Sequence, residues 1–366
     1  MSKKFNPSRL KLARTRRKLT LKALAEKISK TPRMVAEYEK EYCKHSPLPD
    51  TINALSLALN YPADFFLASE SIETIEKDTV SFRSLKSMRA AQEHAAIGAG
   101  QLGVVINDYF EKRFNLRSPN IPDYRGIAPE IAAEAIRQEW DLGVLSIGNM
   151  IHLLEKHGVK VFSLAENTQN VDAFSFWKDN TPYVYLNTQK SGERSRFDAA
   201  HELGHLVLHK HGAPQGKEAE SDRFASFLLM PKATILPYKH KPITIQSIIT
   251  LKKSWKVSAM ALIVHMRNTG VLTEWQYKSL IITASKMGLR TTEIDGISRE
   301  RSLIIDSLLK ALSSEGITMQ KMALELNLPF DEVSSLLFGL GVVSKQNQSI
   351  KSIPNNRNKP YLTLVK

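Results

Sequence analysis

The sequence predicts a multidomain protein with an all-α N-terminal domain, an α+β central domain and an α-helical C-terminal region. Three observations predict this arrangement. Apolar residues follow a helical period, interrupted by short turns, over residues 8–66. Three strand-like runs then precede two helical segments in the middle of the chain. After residue 240 only helical patterns recur, and a length of 366 residues is enough for two or three domains.

The composition is typical of a soluble globular protein, with 42% hydrophobic and 24% charged residues. No run of about 18 apolar residues occurs, so we expect no membrane span. The basic N-terminus is not followed by the apolar segment of a secretory signal, and Cys43 is the only cysteine. We therefore expect a protein of the reducing cytoplasm.

The net charge is +14, and the basic excess is concentrated at the start of the chain. Residues 1–22 hold no acidic residue, and their basic residues are Lys3, Lys4, Arg9, Lys11, Arg14, Arg16, Arg17, Lys18 and Lys22. A field of this sign attracts polyanions, above all nucleic acid. A solvated basic arm is the alternative interpretation.

Two short helices joined by a tight turn are predicted within residues 8–66. The segment Ser29-Lys30-Thr31 ends the first helix. Thr31 followed by Pro32 then favours a new helix, because a hydroxyl side chain caps the N-terminus and proline suits the first helical position. This is the helix-turn-helix arrangement.

Residues 8–66 also resemble the phage-repressor-like (XRE) family of helix-turn-helix domains. The resemblance rests on Leu19-Thr20, Leu24-Ala25, Ile28, Val35, Tyr38-Glu39, Leu55, Leu57-Ala58 and Leu59. It implies that Thr31–Lys40 is the recognition helix of a protein that binds operator DNA, which we expect to act as a homodimer. The candidate DNA-contacting residues are Lys22, Thr31, Arg33, Ala36, Glu37 and Lys40. Ser29 departs from the glycine usual at the turn, and Arg33 is the one side chain well suited to reading a guanine.

The predicted domains are residues 1–70, a helical linker at 71–119, the central domain at 120–240 and a helical region with a basic tail at 241–366. Within the linker, the apolar positions of residues 82–118 fit one long helix. We expect this helix to be a structural bridge or a dimerisation element.

The central domain is expected to alternate between helices and strands. The predicted helices are residues 129–138, 147–157, Arg194–His209 and Glu218–Leu229, and the predicted strands are Val159–Leu164, Asp172–Trp177 and Tyr183–Asn187. The third strand alternates cleanly, with Tyr183 and Tyr185 on one face.

The predicted helix Arg194–His209 carries the motif His201-Glu-Leu-Gly-His205. Histidines four residues apart lie one turn apart on the same helix face, where both imidazoles can bind one metal ion. Glu202 lies beside that face and is placed to act as a general base. The alternative is a core helix whose histidines bond to neighbouring residues, and the acidic pair Glu218 and Asp222 at helical spacing argues against it.

A third metal ligand can be sought at three positions. Glu218 opens the next helix and is the preferred candidate, with Asp222 as hydrogen-bond acceptor for the far nitrogen of His201 or His205. His211 is second, because a chain turning back toward the metal requires glycine at position 208, which is Leu208. Glu220 is third, because it points off the face of Glu218.

The central segment closely resembles the ImmA/IrrE family of metallopeptidases over roughly residues 120–240. The matching segments are Val171–Trp177, Leu186–Thr188, Glu193–Phe197, His201–His209, Glu218, Asp222 and Phe224–Pro231. The resemblance implies a zincin-like metallopeptidase fold with His201, His205 and Glu218 as zinc ligands and Glu202 as catalytic base. Manganese also accepts histidine and carboxylate ligands. His209, His211, Tyr183 and Tyr185 are candidates for the donor that stabilises the oxyanion.

The C-terminal region is predicted to contain the helices Ile243–Trp255, Ser258–Thr269 and Glu274–Met287, with Trp255, Met266 and Trp275 in the core. Residues 318–340 repeat the helix-turn-helix pattern. Because the second of these helices opens with Asp331-Glu332, which would repel phosphate, we expect it to pack or dimerise.

Together these features predict a DNA-binding transcriptional regulator with a zinc-dependent endopeptidase that cleaves a repressor-type protein or itself. The alternative is a transcription factor whose peptidase-like domain is a non-proteolytic sensor or dimerisation platform. A role in a mobile element or as an antitoxin is a further hypothesis about its biology.

Overall fold

The computed structural model of the protein describes residues 4–42, 46–76, 80–84, 90–164, 171–209, 217–338 and 363–364. The N-terminal domain is helical, as predicted, and its helices are α1 (Pro7–Arg16), α2 (Leu21–Lys27), α3 (Pro32–Tyr38), α4 (Pro49–Leu59) and α5 (Ala63–Phe66). The hydroxyls of Thr20 and Thr31 cap α2 and α3 by accepting hydrogen bonds from the backbone three residues on. Helix α3, the predicted recognition helix, ends at Tyr38, two residues before its predicted end.

The central sheet contains a strand, at residues 81–84, where the sequence predicted the start of a long helix. In the described part of the chain its strands are β1 (Ser81–Ser84), β3 (Lys160–Leu164), β4 (Val171–Lys178) and β5 (Thr181–Asn187), and a separate short pair is formed by β2 (Phe114–Asn115) and β6 (Thr363–Leu364). The strand order is β1-β4-β5-β3, with β3 and β5 parallel and the other neighbours antiparallel. The prediction of one long helix over residues 82–118 is wrong at its start, because β1 pairs with β4 and the helix α6 spans only Ala90–Glu111.

Helices cover both faces of this sheet. On one face, the rings of Phe174 and Tyr185 stack with centroids 4.5 Å apart and pack toward α6, whose Gly100 carbonyl accepts a hydrogen bond from the Tyr185 hydroxyl at 2.9 Å. The other face carries Ser175 and contacts α9 (Gly192–Leu208). Helix α9 packs in turn on α10 (Lys217–Leu229). The domain is thus layered as α6, sheet and the α9–α10 pair.

Helix α6 contacts both α1 and the central sheet. Its Gly98 lies against Leu12 and Arg16 of α1, whereas Gly103 lies against Tyr185 of the sheet. A methyl group at Gly103 would overlap the Tyr185 hydroxyl. Glycine is therefore required at Gly103 by the close approach of the helix to the sheet.

The remaining elements are helical and lie mostly where the sequence predicts them. They are α7 (Pro129–Glu139), α8 (Met150–Lys156), α11 (Lys232–Ile235), a 3₁₀ turn at Leu236–Tyr238, α12 (Ile245–Trp255), α13 (Ala259–Asn268), α14 (Glu274–Lys286), α15 (Leu303–Ser314), α16 (Met319–Glu325) and α17 (Phe330–Phe338). Trp255 and Met266 are buried as predicted, but Trp275 is 78% exposed, so its predicted place in the core is wrong.

The C-terminal pair α16 and α17 packs against the rest of the protein, as expected from its acidic start. Glu332 accepts hydrogen bonds from Arg16 Nε at 2.9 Å and from the Tyr61 hydroxyl at 3.1 Å, and its side chain is only 2% exposed. Asp331 pairs with Arg17 at 2.8 Å. These contacts join the last described helix to α1.

The same contacts revise the expectation for the N-terminal basic segment. Arg9 donates to the Glu70 carbonyl, Arg14 pairs with Glu39, and Arg16 and Arg17 pair with α17. The predicted field over residues 1–22 is therefore partly neutralised within the fold. Lys4, Lys11, Lys18 and Lys22 stay exposed.

None of the helices in the described part of the chain is both long and apolar enough to cross a bilayer.

Candidate functional site

The motif histidines project from the C-terminal half of α9, a helix that Ser191 caps by accepting a hydrogen bond from the Arg194 backbone. His201 and His205 are 1% and 2% exposed. The two residues lie about one turn apart on the same helix face, and their rings converge so that the Nε2 atoms are 3.0 Å apart. The rigid helix thus holds both imidazoles toward one point.

Helix α10 brings a carboxylate to the same point. Glu218 Oε2 lies 3.3 Å from His201 Nε2, and Oε1 lies 3.1 Å from His205 Nε2. Gly204 makes this approach possible, because a methyl group there would lie 3.2 Å from the Ser221 Cα. Ser221 is itself fully buried in this helix contact. Small residues at both positions therefore set the distance between the two helices.

The three donors fit a zinc ion. Their ligand atoms all lie within 4.8 Å of one another. A tetrahedral ion with bonds of about 2.0–2.1 Å separates its ligand atoms by about 3.3 Å. The two Nε2 atoms are 3.0 Å apart, and the two oxygens of Glu218 approach them separately, Oε2 to 3.3 Å from His201 and Oε1 to 3.1 Å from His205. The chemistry agrees as well, because two imidazoles and a carboxylate are ligands typical of catalytic zinc.

The protonation of these groups favours a cation between them. Burial lowers the pKa of His205 to about 4, so its imidazole is neutral at pH 7. Burial alone would raise the pKa of Glu218, but the hydrogen bonds with His201 and His205 outweigh burial and lower it. The neutral imidazole of His205 and the carboxylate of Glu218 bring a lone pair and negative charge to one point, which a metal ion relieves.

Asp222 contacts the far nitrogen of a motif histidine, as the sequence predicts. Its Oδ1 is 2.8 Å from His201 Nδ1, so the carboxylate accepts a hydrogen bond from that nitrogen. The bond leaves the lone pair of His201 on Nε2, the atom that faces His205 and Glu218. Asp222 thereby orients His201.

Glu202 is fully buried beneath the sheet, beside the two histidines. Its Oε2 accepts a hydrogen bond from the Ser175 hydroxyl on β4 at 2.6 Å. Ser175 was not among the predicted site residues. It is the polar residue between Phe174 and Phe176 in a buried strand, and that interruption was the available signal.

The other candidates divide between the two faces of the sheet. Tyr183 and Tyr185 point toward α6, away from Glu202, so the structure contradicts them as oxyanion donors. Glu220 contacts His209 at 2.8 Å instead of approaching His201 or His205, which agrees with its low rank as a ligand. His211 lies outside the described residues.

The predicted DNA-contacting residues lie on and around α2 and α3. Lys22, Arg33 and Lys40 are exposed, and Ala36 and Glu37 are half-buried. Thr31 is exposed but its hydroxyl caps α3, and Glu37 pairs with Lys40 at 2.6 Å. Arg14 of α1 holds the end of α3 through two hydrogen bonds to Glu39, at 2.6 and 2.7 Å. Arg33 is thus an exposed arginine on a helix whose C-terminal end is bonded to α1 through Arg14 and Glu39.

Comparison with protein families agrees with both parts of this description. Residues 10–66 match the helix-turn-helix family model, and residues 154–266 match the model of the IrrE N-terminal-like domain, a metallopeptidase family. The chain joins an XRE-type helix-turn-helix domain to an IrrE/ImmA-like peptidase-family domain. The search of curated proteins finds no match. The IrrE-like match starts in α8 and ends in α13, so it extends beyond residue 240 and includes two helices of the C-terminal region.

Proposed function

We propose that the chain is a cytoplasmic transcriptional regulator that binds operator DNA as a homodimer and cleaves a repressor-type protein, or itself, at a zinc centre. The observation that carries the proposal is the convergence of His201 Nε2, His205 Nε2 and the Glu218 carboxylate beside the buried Glu202. The family matches support it, because they pair a DNA-binding domain with a peptidase-family domain.

His201, His205 and Glu218 would hold Zn²⁺, with Mn²⁺ as the alternative ion. When bound, the ion supplies a Lewis acid that polarises the scissile carbonyl and makes water a stronger nucleophile. The residues prepare for this role before any substrate binds. Asp222 presents the lone pair of His201, and the packing of Gly204 on Ser221 sets the reach of Glu218.

Glu202 would act as the general base. Ser175 donates a hydrogen bond to Oε2, which fixes the plane of the carboxylate, and we assign proton transfer to the other oxygen, Oε1. The carboxylate takes a proton from the attacking water and gives it to the leaving amine, so Glu202 is again an ionised carboxylate after one turnover.

The deciding experiment compares zinc-loaded wild type with zinc-loaded Glu202→Gln. Each is incubated alone and with a proteome-derived peptide library, and new N-termini are identified by mass spectrometry. Glutamine keeps the size of the side chain but cannot accept the proton, so we expect new termini with wild type only. Both proteins should bind equal zinc, because residue 202 is not a ligand in this proposal.

The rival function is a non-proteolytic sensor or dimerisation platform. A wild type that binds one zinc per chain yet produces no new termini, from the library or from itself, would favour that rival. New termini in equal number from Glu202→Gln would refute the assignment of the base.

DNA binding is tested with one arginine variant and one lysine variant of the N-terminal domain. The DNA is an operator selected from a random-sequence library with the wild-type protein. Arg33→Ala should weaken binding to this operator by about 1–3 kcal/mol and relax the sequence preference at one base pair. Lys22→Ala should weaken binding to all sequences alike and lower the salt dependence, as expected for a phosphate contact. Equal losses on specific and random DNA for Arg33→Ala would contradict its role in base recognition.

A further inference from the structure

His209 links His205 to a second acidic residue of α10. It follows the last residue of α9 and is 6% exposed. Its Nδ1 lies 3.2 Å from Nδ1 of His205, and its Nε2 lies 2.8 Å from Glu220 Oε2. The three side chains form one hydrogen-bonded row that ends at His205.

The carboxylate determines where each proton in this row resides. A carboxylate only accepts, so Nε2 of His209 carries a hydrogen and donates it to Glu220. The Nδ1 of a neutral His209 then has a lone pair and accepts a hydrogen bond from Nδ1 of His205. His205 is left with its lone pair on Nε2, the atom that faces His201 and Glu218.

Each histidine of the motif is thus hydrogen-bonded through Nδ1 to a group that leads to an acidic residue, directly for His201 and through one further histidine for His205. His201 donates directly to Asp222, whereas His205 donates to His209, which donates to Glu220. Both acids belong to α10, the helix that also supplies Glu218. A hydrogen-bonded partner of this kind fixes the tautomer and ring orientation of a metal-binding histidine.

We propose that His209 and Glu220 are positioning residues that hold His205 in the tautomer required for zinc. The inference rests on the zinc centre of the proposed function and assigns that centre a support that the motif does not contain. Loss of such a partner typically weakens metal affinity by about 10–100-fold. Neither residue touches the ligand atoms of the centre, so the effect passes through His205.

The test is the zinc dissociation constant of the full chain, measured by competition with a chelating dye. We expect His209→Leu to weaken zinc binding by about 10–100-fold, because leucine fills the space but accepts no hydrogen bond. His209→Asn should recover most of the affinity, because its amide oxygen can accept the hydrogen bond near the position of Nδ1. Glu220→Ala should weaken zinc binding by less than His209→Leu does, because His209 can still accept the hydrogen bond from His205.

A matched control and a second measurement separate positioning from general damage. His94→Leu removes an exposed histidine from α6, on the opposite face of the sheet, and should leave the affinity unchanged. Nitrogen-15 NMR of the zinc-loaded protein should show His205 protonated at Nδ1 in wild type and in His209→Asn. In His209→Leu, that resonance should shift or broaden.

Wild-type affinity in His209→Leu, together with loss of zinc in His201→Ala, would overturn the positioning role and leave the zinc centre intact. Equal losses in His209→Leu and His209→Asn would also overturn it, because both would then reflect packing. A wild type that takes up no zinc would instead overturn the centre itself, and with it this inference.

Discussion

Replacing Glu332 with glutamine removes a buried negative charge from the contact between α17 and α1. The Glu332 and Arg16 side chains are 2% and 7% exposed and lie 2.9 Å apart. Arg17 lies 3.2 Å from the same carboxylate, and the Tyr61 hydroxyl donates to it. The substitution therefore removes the negative charge that lies against the buried Arg16 guanidinium.

The expected cost follows from this geometry. Two charges 2.9 Å apart attract by about 6 kcal/mol at an effective dielectric of about 20, and desolvation offsets part of that gain. Breaking a buried pair from one side typically costs about 3–5 kcal/mol. We expect Glu332→Gln to lose about 3 kcal/mol, because glutamine can still accept a hydrogen bond from Tyr61.

Native-state hydrogen exchange measures this cost locally. The amide protection of α16 and α17 should fall by about two orders of magnitude in Glu332→Gln, because each 1.4 kcal/mol of opening free energy changes protection about tenfold. Asp331→Asn is the matched control, since Asp331 is the adjacent residue and pairs with Arg17 but is 52% exposed. An exposed pair contributes about 0–1 kcal/mol. Equal loss of protection in both variants, or none in Glu332→Gln, would refute the reasoning.

Three further predictions concern the fold. Ser29 adopts a left-handed φ of 51°, so Ser29→Gly should stabilise the N-terminal domain by about 0.5–1 kcal/mol; a lower melting temperature would contradict this. Gly103→Ala should lower the free energy of unfolding of the central domain by about 1–3 kcal/mol, because the methyl group overlaps Tyr185. In the double variant, Tyr185→Phe should recover part of this loss. Additive losses of unfolding free energy in urea titrations would argue against that contact. Burial lowers the pKa of His265 to about 4, so the unfolded chain binds a proton first as the pH falls below about 6.5 and the protein loses stability toward pH 4. His265→Gln should therefore gain about 2–3 kcal/mol relative to wild type between pH 7 and pH 4.5, and a constant difference across that range would contradict the assignment.

The elements that could be predicted from the sequence are those specified by local spacing. Helices α9 and α10 lie within two residues of their predicted limits, because histidines and acids four residues apart define one helix face. The convergence of Glu218 with His201 and His205 was expected for the same reason. The turn before α3 was also expected, because threonine followed by proline marks a helix start.

The elements that could not be predicted depend on distant partners. Strand β1 is a short segment whose conformation is decided by pairing with β4, about 90 residues later, and local periodicity favoured a helix. Arg16 looked like part of a nucleic-acid-binding surface until the fold placed it against Glu332. His209 had no predicted partner because its hydrogen bonds depend on how α9 and α10 pack.

The measurement that tests the central claim most directly is the metal content of the purified chain. Wild type, Glu202→Gln, His201→Ala and Glu218→Ala are prepared together, incubated with zinc and dialysed before analysis. The account predicts one zinc per chain in wild type and Glu202→Gln, and none in His201→Ala and Glu218→Ala. No zinc or manganese in the wild type, or full zinc content in both ligand variants, would contradict it.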